Sequence, residues 1–330
     1  MNDVSTRQRV VAIISLVLIL LSMSFGTILM KMVLFEVKPL TLTWLSVLVG
    51  MLTMGIYTFV IRREKIPRGF GSQVWIYILI IGLFNFVISR ITRPFALERL
   101  PAITTTFLSN FIGLITMGMS IFVLKESPTI FQLLGAVVAV TGLTIYFEQI
   151  PSNYELVGVL LVLVGITAVA YTNNIARKFA IVTDFMFSNN VLSTLALLFG
   201  GTITVIIGLI YDWPPDVGSL RNWGIIVYVG VVTIGIGLTG WNYFLRVLRS
   251  YEASILGATS VIWTAILALI FLGETLNTAQ IAGISLLIIG LILVQVRRGK
   301  FSDFLAYFHL IPSKPPAVAA DDSTQAESVK

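Results

Sequence analysis

Ten long stretches with few charges decide what this chain can become. They run over roughly residues 10–30, 40–61, 74–97, 102–124, 128–147, 156–176, 186–210, 222–246, 253–272 and 278–296. About 20 apolar residues cross a bilayer as a helix. A barrel strand instead alternates apolar and polar residues over about ten positions. The runs here are continuously apolar, so the expected fold is an all-α integral membrane protein with ten transmembrane helices. Composition removes the alternatives. The chain is 57% hydrophobic and 12% charged, with a mean hydropathy of +0.95. A soluble chain carries about 25% charged residues, and a disordered one needs low hydrophobicity.

Composition also excludes several chemistries. There are no cysteines, so disulfides, thiolate metal sites and cysteine nucleophiles are impossible. The single histidine, His309, lies in the C-terminal tail, which rules out a Ser-His-Asp triad or a histidine metal site inside the membrane. The net charge of +6 and pI of about 9.6 fit positive loops on one membrane face and do not call for nucleic acid as a partner. The first run follows Arg7 and Arg9, is longer than a signal-peptide core and precedes no A-x-A pattern. It is expected to be a retained first span.

Charge placement sets the orientation. An even number of spans puts both termini on one side. With that side inside, the inner loops hold Arg7, Arg9, Arg62, Arg63, Lys65, Arg68, Lys125, Arg177, Lys178, Arg246, Arg249, Arg297, Arg298 and Lys300. The outer side, with charges inside spans included, receives Lys31, Lys38, Arg90, Arg93, Arg99 and Arg221. The positive-inside rule then gives cytoplasmic N- and C-termini in a plasma (inner) membrane. Residues 1–9 form a cytoplasmic N-terminus. Residues 297–330 form a cytoplasmic tail, in which Phe301–Ile311 is amphipathic enough to lie in the interface and the remainder is polar and expected to be disordered.

The two halves resemble each other. At an offset of 148, Trp75 meets Trp223, Gly82 meets Gly230, Thr116 meets Thr264, Glu126 meets Glu274, Gln132 meets Gln280, Gly135 meets Gly283 and Gly142 meets Gly290. Near the start of each half, an offset of 147 aligns Lys31 with Lys178. Each half, 10–147 and 156–296, holds five spans. An odd number makes the second half enter the membrane from the opposite side, the inverted-repeat plan of many secondary transporters. Two such halves can exchange conformations around one central site.

Each half also contains a span ending in Leu-x-Glu, then a short turn and a glycine-containing final span. These are Leu124-Lys125-Glu126-Ser127-Pro128 with Gly135 and Gly142, and Leu272-Gly273-Glu274-Thr275-Leu276 with Gly283 and Gly290. The combination resembles the EamA-type domain of the drug/metabolite transporter superfamily, present twice over roughly residues 10–296. A proline common in that family before the glutamate is replaced here by Gly113 and Val261. The resemblance implies ten helices with cytoplasmic termini, and a cavity lined by the first four helices of each half with the fifth as outer support. It implies export or uptake of amino acids, metabolites or drugs, with nucleotide-sugar exchange in distant branches.

The sharpest chemistry inside the membrane is Arg90 and Arg93, late in the third span and three residues apart on one helix face. A mid-membrane arginine costs about 2.5–3.5 kcal/mol on insertion scales. Two readings stand: a paired cationic site for a carboxylate or phosphate, or side chains snorkelling to the outer headgroups. Pro94 removes a donor to the carbonyl of Arg90. The second-half counterparts are Trp241, Asn242 and Tyr243, so a central cavity would be basic on one wall and aromatic-amide on the other. Trp44, Asn110, Tyr171, Asn173, Asn190 and Trp263 complete the candidate substrate-binding set, each also explicable as interhelical glue or packed bulk. Glu126 and Glu274 are expected to cap the helix that follows each, or to form a gating salt bridge. Gly235-Ile236-Gly237-Leu238-Thr239-Gly240 matches a nucleotide loop in letters only, because it sits inside an apolar span with no βαβ unit.

No catalytic residue, cofactor or metal is assigned, and the expected partners are a small-molecule solute and the lipid bilayer. The expected function is a secondary transporter of a small organic solute, amino acid, metabolite or drug-like and anionic in one version, working by alternating access as an exporter or exchanger. The alternatives are a membrane scaffold or receptor and a carrier of nucleotide sugars or phosphorylated metabolites.

Overall fold

The computed structural model describes residues 6–67, 71–125, 128–149, 151–184, 186–247 and 255–295, which belong to one compact unit. Arg68, Glu126, Arg249, the amphipathic stretch 301–311, His309 and the polar tail lie outside the described residues.

Among the described residues, helices lie within each expected apolar run. They are α1 (Thr6–Val33), α2 (Pro39–Gly55), α3 (Ser72–Ile81), α4 (Ser89–Arg99), α5 (Ala102–Ser109), α6 (Ile112–Val123), α7 (Ile130–Tyr146), α8 (Asn153–Val182), α9 (Asn189–Tyr211), α10 (Leu220–Tyr228), α11 (Gly237–Val247), α12 (Ser260–Leu272) and α13 (Thr278–Gln295). Widened, π-helical turns extend α2 over Ile56–Ile61, join α3 to α4 over Gly82–Ile88 and join α10 to α11 over Val229–Ile236. Among the described residues, nine segments are long and apolar enough to cross a membrane, and α7 is a shorter apolar helix of 17 residues. Their outer surfaces are apolar: Ile130, Leu133, Val137 and Val140 of α7 are all exposed, as expected where lipid is the solvent.

Start and stop signals act locally. Thr129 and Gln132 form a capping box at α7, and Ser152 and Glu155 form another at α8. Asn277 and Gln280 cap α13 in the same reciprocal way, Gln280 N donating to Asn277 Oδ1 (2.7 Å) and Asn277 N to Gln280 Oε1 (3.0 Å). This is Thr129–Gln132 again at the 148-residue offset. The offset also holds for Lys125 and Gly273, which both have positive φ, 55° and 68°. α8 runs past the expected end at 176, because no glycine or proline interrupts Asn173–Val182 and Phe179 finds a buried place.

Packing repeats at the same offset. α1 lies on α12, and α8 lies on α6. α2 packs against the widened turn Val229–Ile236, and α9 packs against Gly82–Ile88. α7 and α13 run antiparallel in very close contact. A Cβ on Gly135 would stand 2.5 Å from the carbonyl of Gly290, and one on Gly142 would stand 2.7 Å from that of Gly283. Small residues let backbones approach in this way where no hydrophobic effect drives helices together. The fourth segment of each half is broken at one place, at Asn110–Phe111 and at Thr259; the apolar run alone gave no sign of either break.

Polar contacts divide the segment ends into two groups. At one end, Asn222 Nδ2 donates to Glu36 Oε2 (2.8 Å), and Asp212 Oδ2 accepts from Thr41 Oγ1 (2.6 Å) and Trp44 Nε1 (3.0 Å). At the other, Ser188 Oγ donates to Glu64 and Asn190 Nδ2 donates to Glu64 Oε1 (3.1 Å).

Candidate functional site

Arg90 and Arg93 face the interior of the bundle. With Thr43, Ser46 and Thr233 they line a narrow cavity of about 20 Å³, completed by Met30, Val47, Pro94, Val229 and Ile234. Local sequence explains their placement. The widened turn Gly82–Ile88 precedes them, Pro94 withholds an N–H from the carbonyl of Arg90, and the three-residue spacing keeps both guanidinium stems on one face. Lys31 holds the end of this helix: its Nζ donates to the carbonyls of Leu97 (2.7 Å) and Leu100 (2.9 Å). A cation at a helix C-terminus satisfies carbonyls that the helix leaves free.

The cavity is rich in donors that have no acceptor. Arg93 Nη2 donates to Thr27 Oγ1 (3.0 Å), while its Nε is buried with no partner among the described residues. The Arg90 guanidinium lies 5.9 Å from the centre of the Phe86 ring, and no carboxylate is paired with either arginine among the described residues. Thr233 Oγ1 is likewise buried and unpartnered. Thr43 and Ser46 already donate to their own helix, to the carbonyls of Pro39 and Leu42. Leaving a buried donor unpaired costs about 1–3 kcal/mol, more for a charged group, so this lining is complementary to an anion.

The other expected site residues go elsewhere. Trp44 is 3% exposed, donates to Asp212 and packs over Gly208, so it is a core residue and offers no stacking surface to the cavity. Asn110 closes the break after α5 by donating to the carbonyl of Thr106 (2.9 Å). Tyr171 packs on Phe84, with ring centres 5.1 Å apart. Asn173 is exposed and donates to Thr116 Oγ1 (3.3 Å). Trp263 is partly buried beside the cluster of Leu16, Leu20 and Phe244, and its Nε1 has no acceptor among the described residues. The aromatic-amide wall does not form opposite the arginines. Trp241 is exposed, and Asn242 donates to Asn190 Oδ1 (3.3 Å) and Ser193 Oγ (3.2 Å). Asn242 lies nine residues, about 14 Å of helical rise, beyond Thr233. The wall facing the arginines is therefore Val229, Thr233 and Ile234 of the widened turn.

Asn190 instead lines a second, wider opening of about 530 Å³ with Tyr57, Arg62, Thr239 and Tyr243. The two spaces follow one another along the same widened turn: Thr233 and Ile234 belong to the first, Gly235 and Ile236 to the second. Between them Ile234 fills the notch at Gly50, where a Cβ would stand 2.6 Å from its Cγ2.

Glu274 is a cap, but not of the helix that follows it. Its Oε1 accepts from Ala102 N (2.8 Å) and its Oε2 from Ile103 N (3.2 Å), at the start of α5 in the other half. Thr27, Thr233, Glu64 and Asp212 carry the remaining polar architecture and went unrecognised in the sequence. Threonine is common in apolar helices, where it bonds its own backbone, so the letters alone do not separate Thr233 from Thr53 or Thr239.

A profile of the EamA-like transporter family matches residues 10–148 and 156–296. A protein from Archaeoglobus fulgidus, described as an uncharacterized transporter, is 27% identical over 188 residues, which is 54% of this chain and 63% of that protein. One from Clostridium kluyveri with the same description is 22% identical over 260 residues, 77% of this chain and 81% of that one. A solved crystal structure superposes with a TM-score of 0.62 at 16% identity, covering 88% of this chain and 97% of the other. That likeness concerns the fold.

Proposed function

The chain belongs to the EamA-like transporter family, and from that premise we propose that it is a multi-pass secondary transporter carrying a small organic solute past Arg90 and Arg93 by alternating access. It acts as a carrier and not as an enzyme. The observation that carries this reading is the cavity itself: two arginines without a carboxylate, an orphan Arg93 Nε and an orphan Thr233 hydroxyl converge in the interior of an apolar bundle. Intramembrane charges of this kind mark solute pathways.

The reading includes ten transmembrane helices, with α7 as the fifth and α13 as the tenth, arranged as two five-helix repeats over 10–147 and 156–296. The glycine contacts support it. A two-fold axis in the membrane plane maps the Gly135–Gly290 contact onto Gly283–Gly142, and both contacts are present. The recurrence of the widened turns, the broken fourth helices and the capping boxes at one offset supports it too. The group of segment ends holding Arg62, Arg63, Lys65, Arg177 and Lys178 is assigned to the cytoplasm, with both termini. The opposite group holds Glu36, Glu98, Glu148, Glu155, Asp212, Asp216 and Glu274 together with Lys31, Lys38, Arg99 and Arg221, against Glu64 and Asp184 on the cytoplasmic side. The wide opening at Asn190 and Arg62 then makes this the inward-facing state, and withdrawal of Ile234 from Gly50 connects it to the arginine cavity.

The test is solute flux in liposomes containing the purified protein. Saturable counterflow of an organic anion, abolished by Arg90→Gln in a variant that keeps its fold, is the expected result. A folded protein with no flux of anionic, zwitterionic or neutral solutes would leave it a scaffold or receptor.

A further inference from the structure

Building on the transporter reading, we infer that the solute is a small organic dianion, a short dicarboxylate or a phosphate monoester, and not a zwitterionic amino acid. The argument is a charge and donor balance around one cavity. Arg90 and Arg93 bring two positive charges to one helix face, with no carboxylate lining the cavity among the described residues. An amino acid would bring one carboxylate for two guanidinium groups and an ammonium with no anion to meet. The unpartnered nitrogens are donors, Arg93 Nε and the Arg90 guanidinium, and the unpartnered Thr233 hydroxyl can donate as well as accept. Thr43 and Ser46 give their protons to their own backbone and leave neutral oxygen acceptors, which carry no charge to balance an ammonium.

Two negative charges balance the pair, and planar guanidinium groups hold carboxylate or phosphate oxygens in a fork that a lysine cannot reproduce. The rest of the lining, Val47, Val229 and Ile234, is apolar and suits a short carbon chain once the space has widened. At about 20 Å³ the cavity has room for about one water, so a solute reaches the arginines only once the surrounding helices part, and its charge, not the volume of this conformation, is what the lining selects. The dicarboxylate and the phosphate ester share this chemistry, and the experiment separates them.

The experiment uses the full-length protein, purified and also reconstituted, with succinate, glycerol 3-phosphate, butyrate and leucine as probes. Stabilisation against thermal unfolding reads binding, because a ligand held only by the folded state raises its apparent stability. One of the two dianions is expected to half-saturate at roughly a tenth of the butyrate concentration or lower, the order of one additional charge-assisted contact pair. Which dianion does so names the source. The second ionisation of a phosphate ester lies near pH ~6, so glycerol 3-phosphate is expected to bind about tenfold more weakly at pH ~5 than at pH ~7.5. Arg90→Gln should remove the advantage of the dianion over butyrate and flatten that pH dependence. Thr233→Val, which leaves both charges in place, should weaken the dianion severalfold in a protein that folds normally.

Leucine or butyrate binding as tightly as both dianions overturns the inference. So does a dianion preference that survives in Arg90→Gln. If leucine counterflow is found and is indifferent to Arg90→Gln, the dianion assignment falls while the transporter reading stands. If no probe binds or moves, both fall.

Discussion

Replacing Gly135 by alanine places a methyl group where the structure has no room for one. The new Cβ would stand 2.5 Å from the carbonyl oxygen of Gly290 and 2.8 Å from both Val294 N and Val294 Cγ2. Comfortable contact begins nearer ~3.5 Å, so α7 and α13 must separate by about 1 Å at the crossing. A gap of that size forfeits roughly a quarter to a half of each dispersion contact it opens, and forced overpacking costs about 1–3 kcal/mol. Alanine returns up to about 1 kcal/mol in helix propensity. The net expectation is a loss of about 1–2 kcal/mol, read as a lowered midpoint in detergent-titration unfolding followed by circular dichroism. Gly283→Ala should cost the same within about 0.5 kcal/mol, because a Cβ there meets the carbonyl of Gly142 at 2.7 Å and Tyr146 Cβ at 2.7 Å. Gly135→Ala with Gly290→Ala should be less than additive, since both changes push the same crossing apart. Gly118→Ala is the control: no atom lies within 4 Å of its Cβ position, and it should be neutral or slightly stabilising. If Gly135→Ala behaves like Gly118→Ala, α7 and α13 are not packed as described and the two-fold argument loses its main support.

Further expectations follow from single contacts. Trp44→Phe leaves the Asp212 carboxylate one donor short and should cost about 1–3 kcal/mol of stability, measured by the same unfolding titration, while the preference among anions stays as in the parent protein. Glu274→Ala removes the acceptor of Ala102 N and Ile103 N and should cost about 0.5–2 kcal/mol; Glu274→Gln, which keeps one carbonyl acceptor, should recover part of that loss. Lys31→Met frees the carbonyls of Leu97 and Leu100 and should loosen the end of α4, seen as faster amide hydrogen exchange around Glu98–Leu100 and unchanged exchange in α9.

The positions of the helices were legible because hydropathy and helix length are local properties. The expected ends at 30, 61, 147 and 210 fall within three residues of Val33, Ile61, Tyr146 and Tyr211. The arginine pair was legible for the same reason: a charge in an apolar run needs an explanation wherever it points. What stayed hidden depended on depth and facing. Trp44 and Trp263 look alike in the sequence, yet one is hydrogen-bonded in the core and the other is not. The expected partnership of Arg90 with Trp241 and Asn242 does not form, because the turn that faces the arginines holds Val229, Thr233 and Ile234. Position along a helix within a packed bundle is set by tertiary contacts, which an offset between the halves does not reveal. The cap made by Glu274 shows the same limit: its chemistry was evident, but its target, 172 residues away, was set by the pairing of the halves.

The chain has no cysteine of its own, so single introduced cysteines report cleanly on sidedness. The most direct measurement compares Lys125→Cys and Thr275→Cys, both exposed at the turns that end the equivalent α6 and α12, with a membrane-impermeant thiol reagent on intact cells and on inside-out vesicles. Two halves inserted in opposite senses require Lys125→Cys to react only from the cytoplasmic face and Thr275→Cys only from the outside. Reaction of both from one face would contradict the inversion and, with it, a shared central cavity that opens alternately to either side.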